Sequence, residues 1–479
     1  MDSIILEPKG TPAPAPQGTI ENVTFAELRL GQSASLSRHV TQEDVELFAT
    51  VSGDVNPAHL DAEYADAGMF HGVVAHGMLG GSLFSTLLGT KLPGPGTIYL
   101  GQDLRFRRPV KPGDTITATV TVASLDSERN RVVLDCRCLN QEGREVILGT
   151  AEVIAPTEKV RRAAVTLPEV RVIHHDYSRR LIAQCRGLEP VRTAIAHPCD
   201  RDSLLGALEA AKAGLIRPIL VGPLGRMTAI AEAEGLDLSG CELVHAEHSH
   251  GAAALAVELA RTGSAQAIMK GSLHTDELMG EVVSRQGGLR TARRVSHAYV
   301  MSVPTYAKPL IVTDAAINIA PDLAAKADIA QNAIDLARAL GVALPKVAIL
   351  SAVETVNARM QSTLDAAALC KMADRGQIRG GLLDGPLALD NAISHAAAAT
   401  KGIVSPVAGD PDILLVPNLE AGNMLAKQLS FLASADAAGI VLGARVPVVL
   451  TSRADSVQTR LASCAIMALV AANGSQGHE

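Results

Sequence analysis

Residues 72–90 read GVVAHGMLGGSLFSTLLGT, a long apolar run with small residues at Gly80, Gly81 and Ser82. No other segment constrains the fold as much. An apolar helix of this kind is either buried against a sheet or crosses a membrane. It carries His76 and several glycines, and no similar segment accompanies it, so burial is the expectation. Runs of Val, Ile, Thr and Leu follow at 97–110, 115–123, 131–140 and 146–154, separated by Pro-Gly, Ser-Glu-Arg-Asn and Gln-Glu-Gly turns. One long helix followed by these strands predicts an antiparallel sheet curled around that helix.

Just before the apolar run lies FATVSGDVNPAHLDAEYA, residues 48–65. Asp54 and His59 are five positions apart, with Asn56 and Pro57 between them. Gly53 lets the backbone turn, and Pro57 restricts both itself and Asn56. A fixed carboxylate and imidazole can move protons at neutral pH; the plainer reading is a polar turn after a helix. Upstream, Thr41 and Asp44 form a helix opening, with Val45, Leu47 and Phe48 on its apolar side.

At 479 residues the chain is long enough for two to four domains. With 2% aromatic residues and no Trp, its cores must be aliphatic. A net charge of −7 with scattered signs argues against nucleic acid. The seven cysteines include no C-x-x-C pair; Cys136 and Cys138 read as small core residues on one strand face, and the set suits a reducing cytoplasm. Residues 7–17 read as a disordered Pro-Ala tail. No signal peptide is read at the start, where the apolar run is too short.

After Ile154 the pattern changes. A charged connector leads into a short helix; its His174-His175-Asp176 cluster is a poor metal site, because adjacent histidines point apart. From Val191 short apolar strands alternate with amphipathic helices about seven times, which predicts a doubly wound α/β architecture with a mainly parallel sheet or sheets. The strand ends are polar or glycine-rich: Met269-Lys270-Gly271-Ser272, Thr313-Asp314, Asp384-Gly385-Pro386, the 418–423 stretch ending in Asn423, and the 451–456 stretch TSRADS. Each alone reads as a cap or turn. Recurring at successive strand ends, they suit a phosphate dianion and a second phosphorylated ligand in one cleft. No dinucleotide or P-loop glycine fingerprint is present.

Residues 30–154 resemble the R-specific, MaoC-like enoyl-CoA hydratases, through SGDVNPAHLDAEYA, AHGMLGGSLFS and KLPGPGTIYLGQDLRFRRPVKPGDTITA. The resemblance implies an α+β hotdog fold and an Asp54–His59 catalytic pair that activates water. It also implies that the Gly77 N–H polarises the thioester carbonyl, and that Asn56 and Ser85 lie near the substrate.

Residues 191–472 resemble the phosphate acetyl/butyryltransferase family, through MKGSLHTDELM, GLRTARRVSH, PLIVTDAAINIAPDL, LSAVETVN, DGPLALDNAIS, GIVSPVAGDPDILLVPNLEAGNMLAKQL and GARVPVVLTSRADS. This implies an α/β fold of two subdomains with the site between them. Ser452 and Arg453 become catalytic; Lys270, Gly271, Thr275, Arg290, Asp384, Asn423 and Asp455 bind substrate. Two positions depart from the acetyl-specific pattern. Thr459 stands where an acidic residue is found, with Asp455 nearer the Arg, and Met279 stands where an Arg is found, with Arg290 as a substitute. In this, TSRADS is closer to the butyryltransferase branch.

The expected organisation is a tail (1–20), a hotdog hydratase domain (21–156), a linker (157–190) and the transferase domain (191–479). The expected protein is a cytoplasmic bifunctional enzyme. It hydrates 2-enoyl-CoA to (R)-3-hydroxyacyl-CoA and exchanges acyl-CoA and phosphate for acyl phosphate and CoA. No metal, organic cofactor, nucleic acid or membrane partner is expected, and the resemblance implies a homodimer or larger homo-oligomer. The alternative is a hydratase whose second domain senses acyl-CoA or assembles the protein without turnover.

Overall fold

The computed structural model describes residues 18–165, 167, 168, 170, 172, 173, 176–451 and 455–474. It divides into two compact units, 1–173 and 174–479.

The first unit contains strands β1 (Thr19–Glu21), β2 (Ser33–His39), β3 (Ile98–Phe106), β4 (Thr115–Asp126), β5 (Arg131–Leu139), β6 (Glu145–Ile154) and β7 (Arg161–Ala163). Its helices are α1 (Gln42–Ser52), α2 (Pro57–Leu60), α3 (Ala62–Ala67) and α4 (Gly77–Thr90). Five strands form an antiparallel sheet in the order β2-β4-β5-β6-β3. Along β4 and β5 every second residue is buried, the period that a sheet with one covered face demands. What covers it is α4: Leu79, Leu83, Phe84, Leu87 and Leu88 pack with Ile116, Val120, Leu134, Cys136, Cys138 and Ile147. Gly80 lets helix and sheet approach closely, since a Cβ there would stand 2.8 Å from Ile147 Cδ1. The apolar run is thus a buried core helix, and among the described residues no helix is long and apolar enough to cross a membrane.

That helix begins at Gly77 rather than at residue 72. Residues 74–76 are committed to tertiary bonds instead. The Val74 N–H donates to Ala58, and the Ala75 N–H to Val110. The Thr41–Asp44 capping box opens α1 as its sequence implies.

The second unit runs α5 (Tyr177–Gln184), β8 (Val191–Ala196), α6 (Arg201–Lys212), β9 (Ile216–Gly222), α7 (Leu224–Glu234), β10 (Glu242–His245), α8 (Ser249–Arg261), β11 (Ala267–Lys270), α9 (Thr275–Val282), β12 (Ser296–Ser302) and β13 (Leu310–Thr313). It continues with α10 (Leu323–Ala339), β14 (Lys346–Leu350), α11 (Gln361–Asp374), β15 (Leu382–Leu387), α12 (Leu389–Ile393), α13 (His395–Thr400), β16 (Ile413–Leu415), α14 (Leu419–Leu432), β17 (Asp436–Leu442), β18 (Val448–Val449) and α15 (Val457–Gly474). The unit boundary falls inside 157–190. The first part of that stretch pairs with β1 through β7; its last part, α5, packs on α15, where Cys185 Sγ meets the Ala465 carbonyl.

All eleven strands from β8 to β18 form one sheet, in the order β10-β9-β8-β11-β18-β17-β12-β13-β16-β14-β15. Two parallel blocks flank a centre where β18, β17, β12 and β13 pair antiparallel. The two subdomains inferred from the sequence therefore share a single sheet, and this antiparallel centre is the feature the strand–helix alternation did not disclose. One face carries a continuous core that includes Ile195, Met269, Ala298, Val300, Ile311, Val347, Ile440 and Val449, covered by α5, α6, α7, α10, α11 and α15. The opposite face carries two separate cores. One involves α8 and α9; the other involves α12, α13 and α14.

The seven cysteines are free thiols, and Cys136 and Cys138 lie in the α4 core. Of the 174–176 cluster, His174 and His175 fall outside the described residues.

Candidate active sites

In the first unit the chemistry is assembled by one short stretch. Gly53 caps α1 at φ +76, a left-handed conformation that suits glycine. The chain turns through Asp54, whose carboxylate accepts the Asn56 N–H at 3.2 Å. Asn56 then caps α2, accepting the Ala58 N–H at 3.1 Å, with Pro57 in the first helical position. That short helix aims His59 inward. Its Nδ1 lies 2.6 Å from the Val74 carbonyl. A carbonyl only accepts, so Nδ1 carries the proton and Nε2 is the basic nitrogen.

His76 completes the centre and was not among the expected site residues. It is 4% exposed. Its Nε2–H donates to the Asp54 main-chain carbonyl at 3.0 Å, and its ring stacks on His59 with centroids 3.9 Å apart. Phe48 packs on it at 5.1 Å. The next residue is Gly77, first in α4, so its N–H has no carbonyl of its own helix to bond. A Cβ at Gly77 would stand 2.9 Å from the Phe106 ring. Asp54, His76 and Gly77 line a cleft of about 580 Å³ whose other walls include Phe48, Phe70, Met78, Phe106 and Val110. It is an apolar trough with an acid, the His76 imidazole and a helix-end N–H at one side. Ser85 does not join this group: it stands exposed on α4, outside the cleft lining.

The second unit builds its centre from distant strands. Lys270, at the end of β11, is 3% exposed, and its Nζ donates to the Thr451 carbonyl at 3.3 Å and the Gly271 carbonyl at 3.4 Å. Gly271 is held against β8: its N–H donates to Ala196 at 2.9 Å, and a Cβ would meet the Ala196 oxygen at 2.4 Å. At the end of β13 the Asp314 carboxylate accepts the N–H groups of Ala316, Ile317 and Asn318. Asn423 reaches the same loop, donating to the Ala315 carbonyl at 3.2 Å. Between these two groups β12 pairs with β17 on one side and with β13 on the other.

Between them in the sheet lies β12. His297 and Tyr299 face the broken side of the sheet, opposite to Ala298 and Val300, and Gly439 of β17 offers no side chain beside them. Burial pushes the His297 imidazole down to about 4 against the pull of the Asp314 carboxylate, so the ring is neutral at pH 7. Burial and the nearby Asp455 carboxylate push the Tyr299 phenol up to about 12. Asp455 is thus within electrostatic reach of the Tyr299 phenol. Thr459 is engaged elsewhere: its N–H donates to Ser456 Oγ at 3.2 Å in the first turn of α15. Met279 is a core residue.

Three expected ligand contacts are not drawn in. Asp384 lies within β15, at the outer edge of the sheet, six strands from β18. At roughly 4.8 Å per strand that is about 29 Å. Arg290 is exposed, with its backbone bridged to Ala444. Thr275 is exposed at the start of α9. Ser452 and Arg453 lie outside the described residues. The sequence reading passed over His297 and Tyr299, which lie in a strand it did not identify. It also passed over His197, which follows β8 at φ +54 and whose carbonyl accepts the Ser272 N–H.

The chain matches two family models: a MaoC like domain over residues 27–137 and phosphate acetyl/butyryl transferase over 248–468. A phosphate acetyltransferase of Rhizobium meliloti is 64% identical over 293 residues, covering 61% of this chain and 93% of that protein. The crystal structure of a branched-chain phosphotransacylase from Enterococcus faecalis V583 is similar with TM-score 0.52 and 31% identity, covering 59% of this chain and 99% of its own. The R-hydratase PhaJ1 from Pseudomonas aeruginosa in the unliganded form shares 46% identity over 32% of this chain and 99% of its own, with TM-score 0.32.

Proposed function

We propose, for a chain that belongs to the phosphate acetyl/butyryltransferase family and carries a MaoC-like domain ahead of it, two reactions of acyl-CoA thioesters in one polypeptide. The first unit adds water to a 2-enoyl-CoA. Water held at Asp54 and His59 attacks the β-carbon, a proton goes to the α-carbon, and the developing enolate oxygen takes the Gly77 N–H. The product is the (R)-3-hydroxyacyl-CoA. The observation that carries this reading is that one cleft is lined by Asp54, His76 and the first residue of α4, with the His59 ring packed against His76.

The second unit exchanges the CoA of a short acyl-CoA for phosphate. Lys270 anchors the strand end that leads into Ser452 and Arg453, and Arg453 is the phosphate-binding cation of the proposal. Asp455 replaces the missing acid at 459 as the group that handles the CoA thiol proton, in support of which its carboxylate acts on the Tyr299 phenol. The 64% identity to a phosphate acetyltransferase makes acetyl-CoA the first donor to test, ahead of butyryl-CoA. A homo-oligomer suits the first unit: β3 is an edge strand that exposes Ile98, Tyr99, Leu100 and Phe106.

Two assays on one purified sample test both halves. Crotonyl-CoA absorbance should fall without phosphate. Acetyl-CoA should release thiol only with phosphate. Absence of thiol release from either short acyl-CoA would leave the second unit as a binding module and refute the bifunctional reading.

A further inference from the structure

The Asp54–His59–His76 cluster has a second capacity that acid–base catalysis does not need. Each residue brings one possible ligand atom, a carboxylate oxygen or a ring nitrogen, and the three atoms lie within 4.8 Å of one another. Among the described residues it is the single such trio. We propose that it is a binding site for a divalent transition-metal ion, and that occupation silences hydration by taking the acid and the base together.

The support around the imidazoles argues for this. Histidines that ligate metals characteristically donate their other ring N–H to a carbonyl or carboxylate, which fixes the tautomer and aims the lone pair. Both rings here are held so. His59 Nδ1 is bonded to the Val74 carbonyl and His76 Nε2 to the Asp54 carbonyl. His59 Nε2 and His76 Nδ1 are left as bare acceptors. His76 Nδ1 is moreover buried without a hydrogen-bond partner in a residue 4% exposed. Leaving such an acceptor empty costs roughly 1–3 kcal/mol, which a ligand donated to or coordinated by it removes.

The donor set selects the class of ion. Two imidazoles and one carboxylate suit zinc, cobalt or ferrous iron; magnesium and calcium prefer oxygen alone. Zinc–ligand bonds of about 2.0–2.2 Å require the three atoms to close to roughly 3.4 Å. Closing on one ion brings in the Asp54 side chain, which is exposed on a turn, and slides the two rings apart from their 3.9 Å contact. The cleft beside it gives an entry path. Binding is read directly, so the inference does not depend on the hydratase reading.

The test uses the tag-free full-length chain. Cobalt(II) is followed by its visible ligand-field absorption and zinc by calorimetry. One ion per chain is expected at a site of nitrogen and oxygen ligands. His76→Gln keeps an N–H for the Asp54 carbonyl but removes the lone pair, and Asp54→Asn removes the carboxylate. Each should weaken binding by more than the ~10- to 100-fold that losing a supporting contact costs. Because Asp54 is exposed, its variant keeps the test decisive if His76→Gln does not fold. The His248→Gln/His250→Gln variant, which alters an exposed pair on the other unit, should bind unchanged. Zinc should also block crotonyl-CoA hydration, with recovery on adding EDTA. No bound ion, or binding that survives both trio variants, overturns the proposal. An ion held by the trio in a protein without hydratase activity would sustain it and instead defeat the function proposed above.

Discussion

The two centres are built in opposite ways. The first draws Asp54, Asn56, His59, His76 and Gly77 from a stretch of fewer than thirty residues, held by a cap, a short helix and one carbonyl contact per imidazole. The second draws on β11, β12, β13 and the chain after β18, and joins residues as distant in sequence as Lys270 and Thr451, 181 positions apart. A centre made by local geometry survives wherever that geometry forms. A centre made by topology exists only when a whole sheet has closed.

The sharpest way to break this comparison is to disable one centre and watch the other. Asp54→Asn should reduce crotonyl-CoA hydration by about 10³-fold, the usual loss when a general acid or base is removed. Phosphate-dependent thiol release should stay within about twofold, since the two sites share no residue. Lys270→Met should do the reverse, lowering transfer by roughly 10²-fold and leaving hydration intact. Loss of both activities in either variant would show that the centres depend on one another.

The same contrast explains what could be read in advance. The Thr41–Asp44 box, the α4 core helix, the alternating strands β4 and β5 and the Asp54–His59 spacing are all local patterns, and each is visible in a short window. The late start of α4 was not, because residues 74–76 look apolar and helical until Ala58, His59 and Val110 claim their backbone groups. In the second unit, Lys270 and Asn423 stood out as polar strand ends. Asp384 stood out equally, yet β15 lies at the far edge of the sheet. Strand order is what separates them, and a strand's position in a sheet is not written in its own sequence. β12, which supplies His297 and Tyr299, contains Ser, His and Tyr among its seven residues and carries too little apolar signal to be read as a central strand.

Two glycines sharpen the comparison at the level of backbone fit. A Cβ on Gly271 would stand 2.4 Å from the Ala196 oxygen and 2.5 Å from that of His197. Both obstacles are main chain, at the end of β8 and in the residue after it, so Gly271→Ala should cost about 3 kcal/mol or more and lower the unfolding temperature of the second unit. At Gly77 the obstacle is the Phe106 ring, 2.9 Å away, and a ring on an exposed edge strand is able to tilt. Gly77→Ala should cost about 1–2 kcal/mol while lowering the hydration rate, which calorimetry and the crotonyl-CoA assay resolve separately.

The second centre also carries an acid-sensitive group in His297. The folded His297 ring is held down at about 4, against an ordinary 6.5. An unfolded chain therefore takes up a proton in a range where the folded one does not. Stability linked to this group is complete above pH 6.5 and is lost as the pH falls toward 4, by about 3 kcal/mol in all. Urea titrations across that range should show the loss, and His297→Gln should flatten it. An unchanged slope in the variant would assign the acid sensitivity to other groups.

The smallest effect tests the first centre's dependence on local geometry. Asn56 was expected near the substrate, and the structure has its side chain accepting the Ala58 N–H as the cap of the helix that aims His59. Asn56→Ala should remove that cap at a cost of about 1 kcal/mol. The hydration rate should fall a few-fold through a less well aimed imidazole, with KM nearly unchanged. Serine also caps helices but presents a different group to a ligand. If Asn56 works by capping, Asn56→Ser restores both stability and rate. If it binds the thioester, serine restores stability alone and KM stays raised. The split between those two outcomes decides whether the first centre is shaped by the short helix or by direct contact with what it binds.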